Sequence, residues 1–158
     1  MIIPFDKQAH LEALRQLVIE LQDYERELEP RLPPGAAIVD EYVPQMLLRC
    51  KQAVGQILIA EIDAEVAGFV TVLTRVSSGE IEDGDIEYGL ISDLVVAPRF
   101  RRQGLGKELL EAGENFARSK KVSSLRIGVL HSNRAAMNLY AANGFSVLFS
   151  EMEKKLDP

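Results

Sequence analysis

One stretch constrains the fold of this chain more than any other: Val95-Val96-Ala97-Pro98-Arg99-Phe100-Arg101-Arg102-Gln103-Gly104-Leu105-Gly106-Lys107. β-Branched residues end a strand, a basic turn closed by two glycines follows, and an amphipathic helix begins. A helix N-terminus presents consecutive unpaired N–H groups and about half a positive charge, which together make an anion site. Gly104 and Gly106 carry no Cβ, so a phosphate can come close to the backbone. Arg99, Arg101, Arg102 and Lys107 add full charges. A pyrophosphate-bearing ligand is the natural occupant, although an ordinary strand-to-helix turn on a charged surface would carry the same residues. Two other phosphate motifs are excluded. A Walker loop needs Ser or Thr after its lysine, where this chain has Glu108, and a dinucleotide fingerprint needs glycine where it has Leu109.

The rest of the chain is read from periodicity and punctuation. Met1–Pro4 reads as a short strand. Lys7–Glu27 reads as a helix, with Ala9, Leu11, Leu14, Leu17, Val18 and Leu21 at helical spacing and Asp6 as its cap. Three prolines and a glycine between Glu29 and Gly35 predict a semi-rigid loop, with a second helix over Asp40–Ala53. A hairpin follows, Ile57–Ile62 and Val66–Val76, turning at Asp63-Ala64-Glu65. After an acid- and glycine-rich loop, Ser77–Asp85, comes the strand Ile86–Val96 that feeds the glycine turn. The helix after the turn places Leu105, Leu109, Leu110, Gly113, Phe116 and Ala117 on one face. Leu125–Leu130 reads as a strand, Asn133–Ala142 as a helix stopped at Asn143-Gly144, and Phe145–Phe149 and Glu151–Leu156 as two strands that close the sheet. At 158 residues this is one domain, 1–158, without repeats or linkers.

A second segment, Asn133-Arg134-Ala135-Ala136-Met137-Asn138-Leu139-Tyr140-Ala141-Ala142-Asn143-Gly144-Phe145, matches N-x-x-A-x-x-L-Y-x-x-x-G-F. With Val96-Ala97-Pro98 and Arg101-x-x-Gly104-x-Gly106 ahead of it, the chain resembles the GNAT superfamily of N-acetyltransferases from about Glu87 to Phe145. The resemblance implies an α/β fold of mixed α+β type: the GNAT acyl-CoA N-acyltransferase fold, a mixed, mostly antiparallel central sheet with helices on both faces. It also implies acetyl-CoA as co-substrate. The strand before the glycine turn and the strand after the crossover helix are expected to splay, and the pantetheine arm to lie between them like an added strand. Leu94, Val95 and Val96 would then give main-chain contacts to pantetheine. Arg101, Arg102, Gln103, Gly104, Leu105, Gly106 and Lys107 would hold the pyrophosphate, with Asn133 and Ala136 near pantetheine. The resemblance gives Tyr140 the role of proton donor to the departing thiolate.

The general base stays open. Many members of the superfamily carry Glu-Asp ahead of the L-x-V stretch, and here the pair is Ser92-Asp93. Asp93 is one candidate. Glu87 is another, because strict strand alternation puts it on the same face as Asp93. A water chain without a dedicated base is a third.

Composition narrows the function class. A net charge of −6 argues against a general nucleic-acid surface. No apolar run is long enough for a membrane span, and the N-terminus lacks the pattern of a signal peptide, so a cytoplasmic location is expected. The single cysteine, Cys50, sits in a helical apolar pattern and reads as a buried thiol. His10 and His131 are remote from each other in sequence, and no metal site is predicted. The leading reading is transfer of acetyl from acetyl-CoA to a primary amine, on a small-molecule or peptide acceptor, by direct transfer in a ternary complex. The alternative is a catalytically silent acyl-CoA-binding sensor or protein-interaction domain. A homodimer stays open. Two acidic segments, Glu25/Glu27/Glu29 and Glu80/Glu82/Asp83/Asp85, border the expected acceptor side and would either draw in a cationic amine or simply be solvated.

Overall fold

In the computed structural model, which describes residues 1–156, the glycine turn lies at the end of the fourth strand of a five-stranded sheet. The elements in chain order are β1 (Ile2–Pro4), α1 (Lys7–Leu28), α2 (Gly35–Gln52), β2 (Gln56–Ile62), β3 (Glu65–Val76), β4 (Tyr88–Val96), α3 (Leu105–Ser119), β5 (Leu125–Ile127) and α4 (Arg134–Ala142). Short 3₁₀ turns cover Ile81–Asp83 and Pro98–Phe100. The strand order is sequential, β1 to β5. The first three pairings are antiparallel and β4–β5 is parallel, as a helical crossover between strands requires. Asp63 and Ala64, both at positive φ, make the two-residue turn between β2 and β3, a geometry that matches the twist of a hairpin.

The sheet has a core on each side. Leu14, Leu17 and Val18 of α1 and Val39, Val43 and Met46 of α2 cover Ile57, Ile59, Phe69 and Val95. Leu105, Leu109, Leu110 and Ala117 of α3 cover Val70, Val72 and Ile91 on the other face. Burying each such side chain stabilises by about 1.5–3 kcal/mol, which is why the periodic apolar positions of α1 and α3 dictate where these helices lie. Asp6 caps α1 as expected, accepting from the Ala9 N–H at 2.9 Å.

Strand β4 starts at Tyr88 rather than Ile86, and three larger departures from the sequence reading follow. Helix α2 starts at Gly35, five residues before Asp40. The first-turn N–H groups of a helix have no intrahelical partner, so a proline at the cap costs nothing there. Pro34 is that cap, and the Gly35 N–H donates to Asp23 Oδ1 at 2.7 Å. Gly35 is also where the two helices touch: a Cβ on it would come within 2.5 Å of the Ile19 carbonyl oxygen. Strand β5 is only Leu125–Ile127, so Gly128, Val129 and Leu130 lie outside it. Finally, Phe145–Phe149 and Glu151–Leu156 form no strand. Phe145 packs beside the α3 core, but Val147 and Phe149 are 70% and 77% exposed. Alternation identifies a strand-competent segment, but a strand also needs an edge to pair with, and β5 offers three residues of ladder.

Candidate active site

The turn between β4 and α3 is an anion cradle made of backbone. Arg102 and Gly104 both stand at positive φ (62° and 86°), and residues of alternating hand turn successive N–H groups toward one side. Among the described residues, the N–H groups of Arg102, Gln103, Gly104, Leu105 and Gly106 have no acceptor, and the first bonds of the helix run from Lys107 and Glu108 to the Gly104 carbonyl. The two glycines serve different ends. A Cβ at Gly104 would meet nothing within 4 Å, so that position needs glycine for its left-handed backbone. A Cβ at Gly106 would press on Leu139 at 3.3 Å, so its small size lets α4 pack on α3.

The charged side chains of the turn are mostly engaged elsewhere. Arg101 donates through Nε to the Val96 carbonyl at 2.9 Å and lies 5.3 Å over the Tyr24 ring, fastening β4 to α1. Arg99 pairs with Glu65, and Lys107 pairs with Glu111 at 3.5 Å. Gln103 bonds the Arg99 carbonyl at 3.3 Å. Arg102 alone of the four cations has neither an ion pair nor a side-chain hydrogen bond among the described residues, and it is exposed.

A slot leads from this cradle into the sheet. Strands β4 and β5 pair only at Gly89–Leu125, Leu90–Arg126 and Ile91–Ile127. Among the described residues the β5 side of β4 has no ladder beyond Ile91, leaving a strand edge open from Ser92 up to the Val96 carbonyl, which accepts from Arg101 at the mouth of the cradle. Leu94 and Val96 turn their side chains to the α3 core and Val95 to the opposite one, so the side chains pack while the backbone edge stays free up to the Val96 carbonyl. Tyr140 and Asn133 stand on α4, beside α3. Asn133 caps its helix by accepting from the Ala136 N–H at 3.1 Å, so both residues are engaged in the cap. Tyr140 packs against the α3 core and Phe145. Burial and the negative charge of Glu25 push its hydroxyl up to about 12.

Asp93 and Glu87 part company. The β3–β4 register skips Ser92: Thr71 pairs with Asp93 and Val72 with Ile91. The extra residue is a β-bulge, and it reverses which face follows. Gly89 and Ile91 face α3, whereas Asp93 and Val95 face α1 and α2. Strict alternation carried through that point was therefore wrong. Glu87 lies outside the strand, is exposed, and is not brought to Asp93.

Asp93 itself is 4% exposed, and both of its oxygens are taken. The Tyr42 hydroxyl donates to Oδ1 and the Ser92 hydroxyl to Oδ2 at 2.7 Å. These three residues line a cavity of about 70 Å³ together with Glu25, Gln22, Val18, Leu21 and Ile38. The wall holds two carboxylates and no cation. Burial, then the charge of Asp93, raises the Glu25 carboxyl above its ordinary value. Burial first, with Asp93 adding to it, also raises the Tyr42 hydroxyl. The Cys50 thiol is pushed up to about 11 by the same two causes and stays protonated, as an inert core thiol does. Of the acidic residues seen in the sequence, only Glu25 reaches this cavity. Glu29 is held by Arg31, and Glu80, Glu82, Asp83 and Asp85 are exposed. Glu25 was visible in the sequence only as one acid among several, although it falls seven and four residues after Val18 and Leu21 of the apolar helix face, the signal that could have singled it out. Among the described residues no three His, Cys, Asp or Glu side chains gather as metal ligands would.

Known proteins resemble this chain in sequence and in fold. The family described as Acetyltransferase (GNAT) family matches residues 15–145. The chain is similar to the N-acetyltransferase YhfO of Bacillus subtilis strain 168, at 34% identity over 56% of this chain and 57% of that protein. It is similar at 33% identity to an N-acetyltransferase of Archaeoglobus fulgidus, over 66% of this chain and 67% of that one. The matched stretch thus spans between about half and two thirds of these relatives' length. Among solved structures it resembles AAC(6')-Iy in complex with the bisubstrate analogue CoA-S-monomethyl-acetylneamine, with a TM-score of 0.67 at 22% identity, covering 100% of this chain and 98% of that one.

Proposed function

The chain belongs to the Acetyltransferase (GNAT) family, and on that premise we propose that it transfers acetyl from acetyl-CoA to the primary amine of a small cationic acceptor. The observation that carries this reading is the edge of β4, open from Ser92 to Val95 and closed at the Val96 carbonyl by Arg101, leading to five N–H groups at the start of α3 that have no acceptor among the described residues. An extended amide-bearing arm ending in a pyrophosphate fits both parts: the arm as an added strand, the phosphates on the N–H cradle. Gly104 fits the same ligand, since the side its missing Cβ would occupy is empty. Arg102 supplies the uncompensated charge.

Acetyl-CoA supplies the thioester carbonyl carbon to which the amine nitrogen bonds as the carbon–sulfur bond breaks. Tyr140, pushed up to about 12, keeps its hydroxyl hydrogen throughout the neutral range and donates it to the departing sulfur. The acceptor's character is read from the cavity beside Asp93. A wall with Glu25 and Asp93 and no basic group favours a cation and disfavours an anion. The AAC(6')-Iy complex, whose analogue joins CoA to an acetylneamine, is consistent with a small amine in the corresponding place.

The test is release of free CoA thiol from acetyl-CoA across a panel of amines, with CoA binding measured by calorimetry. Turnover with cationic amines is the expected result. Tight CoA binding without turnover on any amine would leave the chain a silent acyl-CoA-binding domain.

A further inference from the structure

We propose that Glu25 is the proton acceptor of this transfer, a role that rests on the N-acetyltransferase reading and assigns to α1 what the sequence pattern sought on β4. The position where a glutamate was sought holds Ser92, whose hydroxyl is turned onto Asp93. Asp93 lines the same cavity, but it is nearly sealed and already accepts from Tyr42 and Ser92. Glu25 differs on each count. It is half-buried, it lines the cavity, and no hydrogen bond or ion pair occupies its carboxylate among the described residues.

The groups facing Glu25 are few. In the cavity Asp93 and Ser92 come from β4 and Tyr42 from α2, while Tyr140 of α4 lies outside its lining and feels the charge of Glu25. Arg49 of α2 acts on Tyr42 from farther along its helix, and Tyr24, the neighbour of Glu25 on α1, lies under Arg101. Among the described residues, Asp93 is the carboxylate that acts on Glu25, raising it in the same direction as burial. A carboxyl raised above its ordinary value is a better match for a proton leaving nitrogen than an exposed one. The charge of Glu25 also raises Tyr140, in the same direction as its burial.

The protons then balance. The reacting nitrogen is the neutral amine, its extra proton already released to solvent; it forms its bond to the thioester carbon and loses one further proton to the Glu25 carboxylate. The carbon–sulfur bond breaks, its electron pair leaves with sulfur, and the Tyr140 hydroxyl supplies the proton that makes CoA thiol. The protonated Glu25 returns its proton to the Tyr140 phenolate, directly or through water. The products are the amide and the thiol, with both side chains restored.

The experiment is the pH dependence of thiol release for the wild-type chain, Glu25→Gln and Glu25→Asp, using the best amine of the panel, with CoA affinity followed in parallel. The acidic limb of wild type should lie above the range of an ordinary carboxylate. Glu25→Gln should lower kcat by about 10²-fold or more and remove that limb, with CoA affinity unchanged. Glu25→Asp, which keeps the carboxylate, should restore the limb at reduced kcat. Asp93→Asn removes the charge that raises Glu25 and should move the limb to lower pH. A Glu25→Gln chain that keeps the wild-type limb, or that changes only KM, overturns the proposal while leaving the transferase reading intact. Loss of CoA binding in Glu25→Gln, with Glu25→Asp unable to restore the limb, overturns it also. A wild-type chain that binds CoA but acetylates no amine overturns both.

Discussion

The cradle at the head of α3 and the acidic cavity beneath α1 are two sites built in opposite ways. The cradle is local and made of backbone: residues 102–106, two of them left-handed, present N–H groups that any sequence with the right turn would present. The cavity is made of side chains brought from distant parts of the chain, Glu25 on α1, Tyr42 on α2 and Ser92-Asp93 on a bulge of β4. A backbone site can recognise a phosphate but cannot titrate near neutral pH, because an amide N–H has no accessible pKa. A side-chain site can. On the proposed reading, cofactor holding and proton handling would sit in different places, with Tyr140, which packs on the cradle's side of the sheet and feels the charge of Glu25, between them.

Substitutions can separate the two halves. The largest expected effect is at the joint. Tyr140→Phe keeps the ring packed on Phe145 and removes only the hydroxyl, so kcat should fall by about 10²–10⁴-fold while CoA affinity stays within a few-fold. Turnover equal to wild type would make Tyr140 a packing residue. Next comes the cradle. Gly104→Val puts a β-branched residue at φ 86°, which costs about 1–3 kcal/mol, and the turn relieves it by changing hand. Binding must then re-impose the left-handed turn, so CoA affinity should drop roughly 5- to 150-fold in a folded protein. Calorimetry showing wild-type affinity would mean that the cradle does not hold the phosphates.

The difference between the halves also explains what could be read from the sequence. The cradle and α4 were legible because contiguous residues with fixed spacing build them: Gly104, Gly106, Asn133 and Tyr140 all stand where the motifs put them. The five sheet strands and four helices followed from periodicity, with boundaries displaced where Pro34 caps a helix and where β5 stops at Ile127. The cavity was not legible, for two physical reasons. The bulge at Ser92 reverses strand facing, so no period-2 argument could tell that Asp93 turns to α1 while Gly89 and Ile91 turn to α3. The second reason is that the approach of Glu25 to Asp93 depends on how α1 lies over the sheet, a packing outcome between residues 68 positions apart. The C-terminal strands were read where there are none, because a strand pattern does not reveal whether an edge awaits it.

Smaller effects sharpen the contrast. Arg102→Ala removes the free cation of the turn but leaves every N–H in place. An exposed charge contributes about 0.2–1 kcal/mol, so CoA affinity should weaken by at most about fivefold, and the loss should vanish at high salt. A loss comparable to that of Gly104→Val would show that charge rather than backbone holds the ligand.

The smallest effect belongs to the acids that lie near neither half. Glu80, Glu82, Asp83 and Asp85 are exposed in the loop before β4, and none of them lines the cavity. They act on a cationic acceptor only through solvent, over distances that about 8 Å of screening shortens at physiological ionic strength. Replacing all four by their amides should therefore change kcat/KM for the best amine by less than about twofold near 0.15 M salt, with a larger change at low salt through the encounter rate. Glu25→Gln should show the reverse pattern, a large loss that salt does not modify, because a half-buried carboxylate that met the acceptor directly, as proposed, would be little screened. If the loop variant loses more activity than Glu25→Gln at physiological salt, attraction at the surface governs acceptor use and the cavity beneath α1 is a structural void between packed helices.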